Sequence, residues 1–260
     1  MGVYMEALIF VFIFCLGAIL ASFYGVLALR LPKNESVIKP NSYCPNCKHT
    51  LKWYDLIPIV SYISTLGKCR YCHKKISLFY PLSELLLGTL FSIAYYLYGP
   101  MISYDLITIL ILLSLTYIIF VSDFNYFIIL DSPLFGSLIA LFVLKIIYYD
   151  ITSALLSLLW GIILFGIMFV IKKIGDFIFK RESLGGGDIK LALVIGYVLG
   201  LKLGICALIL SSFLALPYAV LRVNLSKEKE VPFGPFIIGA CIIVYLFIPK
   251  FINLLSYLFI

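Results

Sequence analysis

Leu106-Ile-Thr-Ile-Leu-Ile-Leu-Leu-Ser-Leu-Thr-Tyr-Ile-Ile-Phe-Val-Ser122 runs without a charge and stops at Asp123. A stretch of this length approaches the roughly 20 residues that an α-helix needs to cross a bilayer. The pattern recurs at residues 7–29, 85–104, 151–171, 203–221 and 231–249. Two shorter apolar stretches, 132–144 and 191–201, raise the expected number of spans to eight, the second carrying Gly196 and Gly200 and suiting a half-membrane helix. Composition agrees, with 63% hydrophobic and 13% charged residues and a mean hydropathy of +1.11, far from soluble globular values. The expected fold is therefore an all-α polytopic membrane protein of about eight transmembrane helices.

The net charge of +7 is informative through its placement. Nine of the 20 basic residues fall between Arg30 and Lys75, five between Lys172 and Lys190, and three between Arg222 and Lys229. Glu6 precedes the first span and Arg30 and Lys33 follow it, an order that suits a retained anchor with its N-terminus outside. With eight spans, all three basic clusters then face one side, which the positive-inside rule assigns to the cytoplasm. The charge reports topology and contact with anionic lipid, and no nucleic-acid partner is expected.

Residues 31–80 form the one sizeable polar insert. Within it, Cys44-Pro-Asn-Cys47 and Cys69-Arg-Tyr-Cys72 repeat the Cys-x-x-Cys spacing of a closed tetrahedral zinc site. Cys44, Cys47, Cys69 and Cys72 complete such a shell, so the zinc is structural and His49 and His73 are bystanders. An insert this small gains from the metal the folding energy that its core lacks. Cys15, Cys206 and Cys241 stand singly in apolar stretches and read as packing residues. Three segments follow: a first span at 1–30, the insert at 31–80, and a membrane domain at 81–260.

Asp123 follows the third span, and Asp188 follows Gly185-Gly186-Gly187. In the eight-span arrangement both reach the cytoplasmic boundary, where ionisable groups are costly and therefore functional candidates. Two adjacent carboxylates share a proton, one acting as base toward water and the other as acid toward a carbonyl, which is the chemistry of peptide hydrolysis without a covalent intermediate. Glycines at 185–187 would let a substrate backbone approach Asp188. On the residues alone, Asp188 reads equally well as the cap of a helix starting at Ile189. Asp131, before Ser132-Pro133, reads as the cap of the fourth span, which leaves Asp123 as the stronger catalytic candidate.

At these residues the chain resembles the type IV prepilin peptidases, membrane aspartic proteases also called leader peptidase and N-methyltransferase. The likeness covers nearly the whole chain. It is densest in Ser42-Tyr-Cys-Pro-Asn-Cys-Lys-His49, Trp53-Tyr-Asp-Leu-Ile-Pro58, Ser61-Tyr62, Gly67-Lys-Cys-Arg-Tyr-Cys72, Ile76-Ser77, Tyr80-Pro81 and Glu84. Residues 182–190 resemble the family's GxGD signature, and Pro232-Phe-Gly-Pro235 its motif before the last span. Departures are Tyr24-Gly25 for Leu-Asn, Leu130 for Pro, and Ser183-Leu184 for Gly-Met.

The resemblance implies that Asp123 and Asp188 are the catalytic pair, with Gly185, Gly186, Gly187 and Lys190 near the substrate. It further implies cleavage of the basic leader of prepilins or pseudopilins after a glycine, then N-methylation from S-adenosylmethionine, in a prokaryotic cytoplasmic membrane. Two other classes compete. A proton- or cation-coupled transporter would use the two aspartates as an ion site. A zinc-ribbon scaffold would need the cysteines and not the aspartates.

Overall fold

The computed structural model of the protein describes residues 2–99, 102–180, 182–226 and 231–258. Arg181, Lys227 and Lys229 of the basic clusters lie outside them. The chain forms α1 (Gly2–Arg30), α2 (Val60–Ser64), α3 (Phe79–Tyr98), α4 (Tyr104–Tyr126), α5 (Asp131–Tyr148), α6 (Ile151–Phe179), α7 (Gly186–Ser226), α8 (Gly234–Leu246) and α9 (Ile248–Leu258). Among the described residues there is no β-strand, only two isolated bridges in the insert. It divides into two units, 1–121 and 122–260, with the division inside α4.

In the first unit α3 packs on α1 through glycines. A Cβ on Gly17 would lie 2.9 Å from the Gly88 Cα, and one on Gly88 would lie 2.9 Å from the Phe14 carbonyl oxygen. Helices in lipid associate through such close backbone approach, because lipid tails leave no hydrophobic drive between them. Gly25 likewise leaves room for the Tyr117 hydroxyl, 3.3 Å from where its Cβ would stand. That hydroxyl donates to Ser83 Oγ (3.1 Å), which links α4 to α3. Arg30, at the end of α1, donates to the carbonyls of Ser36 (3.2 Å) and Pro40 (2.8 Å) and so folds the first turn of the insert back on the helix.

The second unit is built on α6 and α7. Cβ atoms on Gly161 and Gly196 would fall 2.5 Å from the Leu193 carbonyl and 2.7 Å from the Trp160 carbonyl. Asp150 caps α6 by accepting the Ser153 N–H (2.8 Å). At one end of the unit Lys145 Nζ donates to Ser157 Oγ (2.6 Å) and Tyr197 donates its hydroxyl to the Leu141 carbonyl (3.2 Å), tying α5 to α6 and α7.

The all-helical membrane fold is as expected. Among the described residues, five helices, α1 and α4 to α7, are long and apolar enough to cross a membrane, a count that does not confirm the eight expected spans. The expected segments 191–201 and 203–221 are two limbs of α7, which bends at Gly200 (φ 73°, ψ −179°) without an intervening loop. Glycine alone takes that conformation cheaply. The first limb, residues 186–199, rises about 21 Å, less than a bilayer core. The expected last span, 231–249, is broken at Phe247: α8 ends at Leu246 and α9 follows.

Candidate active site and metal centre

The insert is a duplicated knuckle. Cys44, Cys47 and Lys48 match Cys69, Cys72 and His73 at a constant offset. In the first copy the Cys44 N–H donates to the His49 carbonyl (3.0 Å) and the Lys48 N–H to the Cys44 carbonyl (2.9 Å). In the second, Cys69 N–H reaches the Lys74 carbonyl (2.8 Å) and His73 N–H the Cys69 carbonyl (2.9 Å). Lys48 (φ 60°) and His73 (φ 57°) are left-handed, the turn that points both sulfurs of a knuckle the same way.

The four thiols gather with their sulfurs all within 4.8 Å of one another, Cys44 and Cys72 at 3.9 Å. A tetrahedral four-thiolate zinc with bonds of about 2.3 Å has sulfur–sulfur edges of about 3.8 Å, so the cluster fits the metal. The N–H of Cys47, opposed by burial and helped by the N–H of Asn46, brings the Cys44 thiol down to about 7, toward the thiolate that a metal needs. His49 is stacked on Tyr71, with centroids 3.6 Å apart, and neither histidine belongs to the cluster. Asp55 braces the second knuckle, accepting from Arg70 Nε (2.9 Å), the Tyr71 hydroxyl (3.0 Å) and the Lys52 N–H (3.1 Å).

The two aspartates meet on one cavity of about 760 Å³. Asp123, 5% exposed, comes from the last turn of α4, which Phe127 ends by adopting φ 54° and donating its N–H to the Asp123 carbonyl (2.9 Å). Asp188 comes from the first turn of α7. The remaining wall is Phe127, Ile128 and Ile129, residues 182–187, Val231 and Phe233, with no Lys or Arg among the described lining residues. Asp123 Oδ2 accepts the N–H of Gly234, the first residue of α8 (3.0 Å). Pro235 follows in the first turn, where its missing N–H costs nothing. This gives the Pro232-Phe-Gly-Pro235 motif a role that its sequence did not disclose: it orients one of the two carboxylates.

The glycines divide by function. A Cβ at Gly187 would lie 2.7 Å from the Ile129 Cβ, and one at Gly185 3.1 Å from Asp188 Oδ2, whereas Gly186 faces open space. Packing of the wall fixes two of the three, and only Gly186 leaves free room. Ser183 is held by Asp176, whose Oδ1 accepts both its N–H (2.6 Å) and its hydroxyl (2.9 Å), which anchors the loop to the end of α6.

Two expected caps are corrected. Asp131 is the first residue of α5, not its cap, and makes no capping bond. Asp188 lies inside α7, which starts at Gly186 rather than at Ile189. Lys190 stands outside the cavity wall and donates to both oxygens of Asp131 (2.7 and 2.8 Å), joining the starts of α5 and α7.

Similarity to known proteins accords with this geometry. Residues 15–98 match the bacterial peptidase A24 N-terminal domain, and residues 109–220 match the type IV leader peptidase family. The chain belongs to the type IV leader peptidase family. It is 36% identical to the prepilin leader peptidase/N-methyltransferase of Bacillus subtilis over 238 residues, 90% of this chain and 93% of that one. The corresponding protein of Vibrio cholerae is 35% identical over 87% of this chain and 92% of its own length. That of Myxococcus xanthus is 34% identical over 74% of this chain and 57% of its own length. No solved structure matches. Membership makes the protein a peptidase set among apolar membrane helices.

Proposed function

We propose that the protein is a membrane aspartic endopeptidase that removes the leader of type IV prepilins or pseudopilins, cutting after a glycine at the cytoplasmic face of a bacterial inner membrane. The observation that carries this reading is the pair Asp123 and Asp188 on one glycine-walled cavity among apolar helices. One carboxylate takes a proton from water while the other gives one to the scissile carbonyl oxygen; collapse of the tetrahedral intermediate returns a proton to the leaving amine. The Gly234 N–H holds Asp123 in position for this. A membrane-embedded substrate helix with its leader in the cytoplasm brings its cleavage point to the depth of such a pair. Gly185, Gly186 and Gly187 form the substrate-side wall, and Lys190 supports it through Asp131.

In the same reading the segments 1–30, 31–80 and 81–260 are anchor, insert and peptidase domain. Cys44, Cys47, Cys69 and Cys72 hold a structural zinc, which supplies folding energy to the insert. N-methylation of the new amine is the second activity, as the relatives' names indicate. S-adenosylmethionine wants a stacking surface for its ring and an anion for its sulfonium. The groove of the insert offers Trp53 but no carboxylate, and the carboxylates of the larger cavity are engaged in hydrolysis. Neither set fits the donor.

The test is co-reconstitution with a prepilin, reading the mass of the product's N-terminus. Asp123→Asn and Asp188→Asn abolish cleavage, and Asp131→Asn retains it. Cleavage surviving both of the first two changes would overturn the assignment and reopen the transporter and scaffold readings.

A further inference from the structure

Helix α2, in the insert between the two knuckles, is built inside out. Val60 and Ile63, one turn apart on the same face, and Leu66 in the following turn are 58%, 66% and 86% exposed. Ser61, Tyr62 and Thr65 are the half-buried residues. The Tyr62 hydroxyl is packed against Gly67, where a Cβ would come within 2.6 Å of it, and Thr65 gives its hydroxyl to the Ser61 carbonyl (2.9 Å). A turn standing in water shows the reverse arrangement, since apolar burial drives folding and hydroxyls are content in solvent.

The backbone reinforces the inversion. Ile59 (φ 62°) and Leu66 (φ 52°) bracket α2 in the left-handed region, where bulky side chains, and β-branched ones above all, are outliers. Such strain persists only where the surroundings hold it. Ile59 is held by its N–H, which donates to Glu84 Oε2 (2.8 Å). Glu84 is buried, five residues into α3 and so about 7.5 Å along the helix from Phe79. The start of α2 is thereby tethered beside the first turns of an apolar helix instead of standing off from it. Leu78, Phe79 and Leu82 at that end of α3 are themselves exposed. The surrounding sequence is strongly basic, with nine Lys and Arg between positions 30 and 75 against only Glu35 and Asp55.

We propose that α2 and the Leu66 turn are an interfacial anchor, with Val60, Ile63 and Leu66 sunk to the headgroup–acyl boundary of an anionic bilayer. Interfacial elements of this kind bury an apolar face by about 5–10 Å while their basic residues meet anionic headgroups. Arg30 at the end of α1, Glu84 in α3 and the α2 face then fasten the insert to the membrane at three points.

The test uses full-length protein carrying Trp53→Phe and Trp160→Phe, with a single tryptophan introduced by Ile63→Trp or, separately, Leu66→Trp. Each variant is reconstituted in phosphatidylcholine vesicles containing phosphatidylglycerol, and retained zinc certifies the folded insert. The expected result is blue-shifted emission and roughly twofold quenching by lipid brominated near the headgroup end of its chains, as a depth of about 5–10 Å requires. Water-like emission that iodide quenches and brominated lipid does not would overturn the proposal. Shielding that depends on added prepilin or on protein density in the membrane would also overturn it, giving the face to substrate or to a second copy.

Discussion

The four cysteines and the two aspartates are gathered over very different spans of sequence. Each knuckle closes through hydrogen bonds between residues at most five positions apart, such as Cys44 to His49 and Cys69 to Lys74. The aspartates are 65 positions apart, and the N–H that orients Asp123 lies 111 residues downstream. The knuckles therefore depend on local turns and gather thiols that could hold a metal, whereas the cavity depends on helix packing through Gly161, Gly187 and Gly196. A change in one should leave the other chemically intact, and the size of each effect follows from how directly a residue touches the reacting atoms.

The largest effect is at the carboxylates. Asp188→Asn and Asp123→Asn remove a proton acceptor or donor without changing volume, and general acid–base groups contribute about 10²–10⁴-fold. Single-turnover cleavage should fall about 10³-fold with zinc content unchanged. Zinc lost along with activity would mean that the two regions are not separable.

Next comes the metal. Cys69→Ser, or a strong chelator, should release zinc and unfold the insert, because zinc binding in small modules is folding free energy. Thermal unfolding of the purified protein should show a loss of several kcal/mol carried by the insert. An unaltered melting profile after complete zinc removal would make the ion dispensable to the fold.

The same contrast decides which features are legible in the amino-acid sequence. The knuckles are legible because a Cys-x-x-Cys turn is self-contained, and the membrane helices because a span must be apolar along its whole length. Asp123 and Asp188 are visible as isolated charges at span ends, but their common cavity is not, since no local pattern reports that residues 65 positions apart line one wall. The Gly234 N–H is hidden for the same reason, although the Pro232-Phe-Gly-Pro235 motif marks the place. The join between the expected stretches 191–201 and 203–221 is not legible, because a single glycine at 200 turns the chain without the polar loop that normally separates two spans. Asp131 and Asp188 read as caps because an acid before an apolar run looks the same whether the helix starts at it or ahead of it.

A smaller effect is expected where packing, not chemistry, is changed. Gly187→Ala places a Cβ 2.7 Å from the Ile129 Cβ, so the 127–130 connection must shift and the wall beside Asp188 with it. Near-ångström displacement of positioned groups is costly to rate, and kcat should drop roughly tenfold with little change in stability. Ile129→Gly removes the opposing atom and should restore most of the loss in the double variant. No rescue would show that residue 187 acts on the substrate directly rather than through Ile129.

The smallest effect belongs to Lys190 and Asp131. The pair is well formed, at 2.7 Å, yet both partners are solvent-accessible, with side chains 39% and 57% exposed. Exposed ion pairs contribute about 0–1 kcal/mol, and salt screens them. Lys190→Met and Asp131→Asn should therefore each lower stability by less than about 1 kcal/mol, with a coupling energy of similar size in the double-mutant cycle. Cleavage should change by less than about fivefold, in keeping with a brace between the starts of α5 and α7 that touches no reacting atom. A loss for Lys190→Met as deep as that for Asp188→Asn, with Asp131→Asn unaffected, would instead move Lys190 from the brace to the substrate, and the boundary between support and chemistry at this cavity would have to be redrawn.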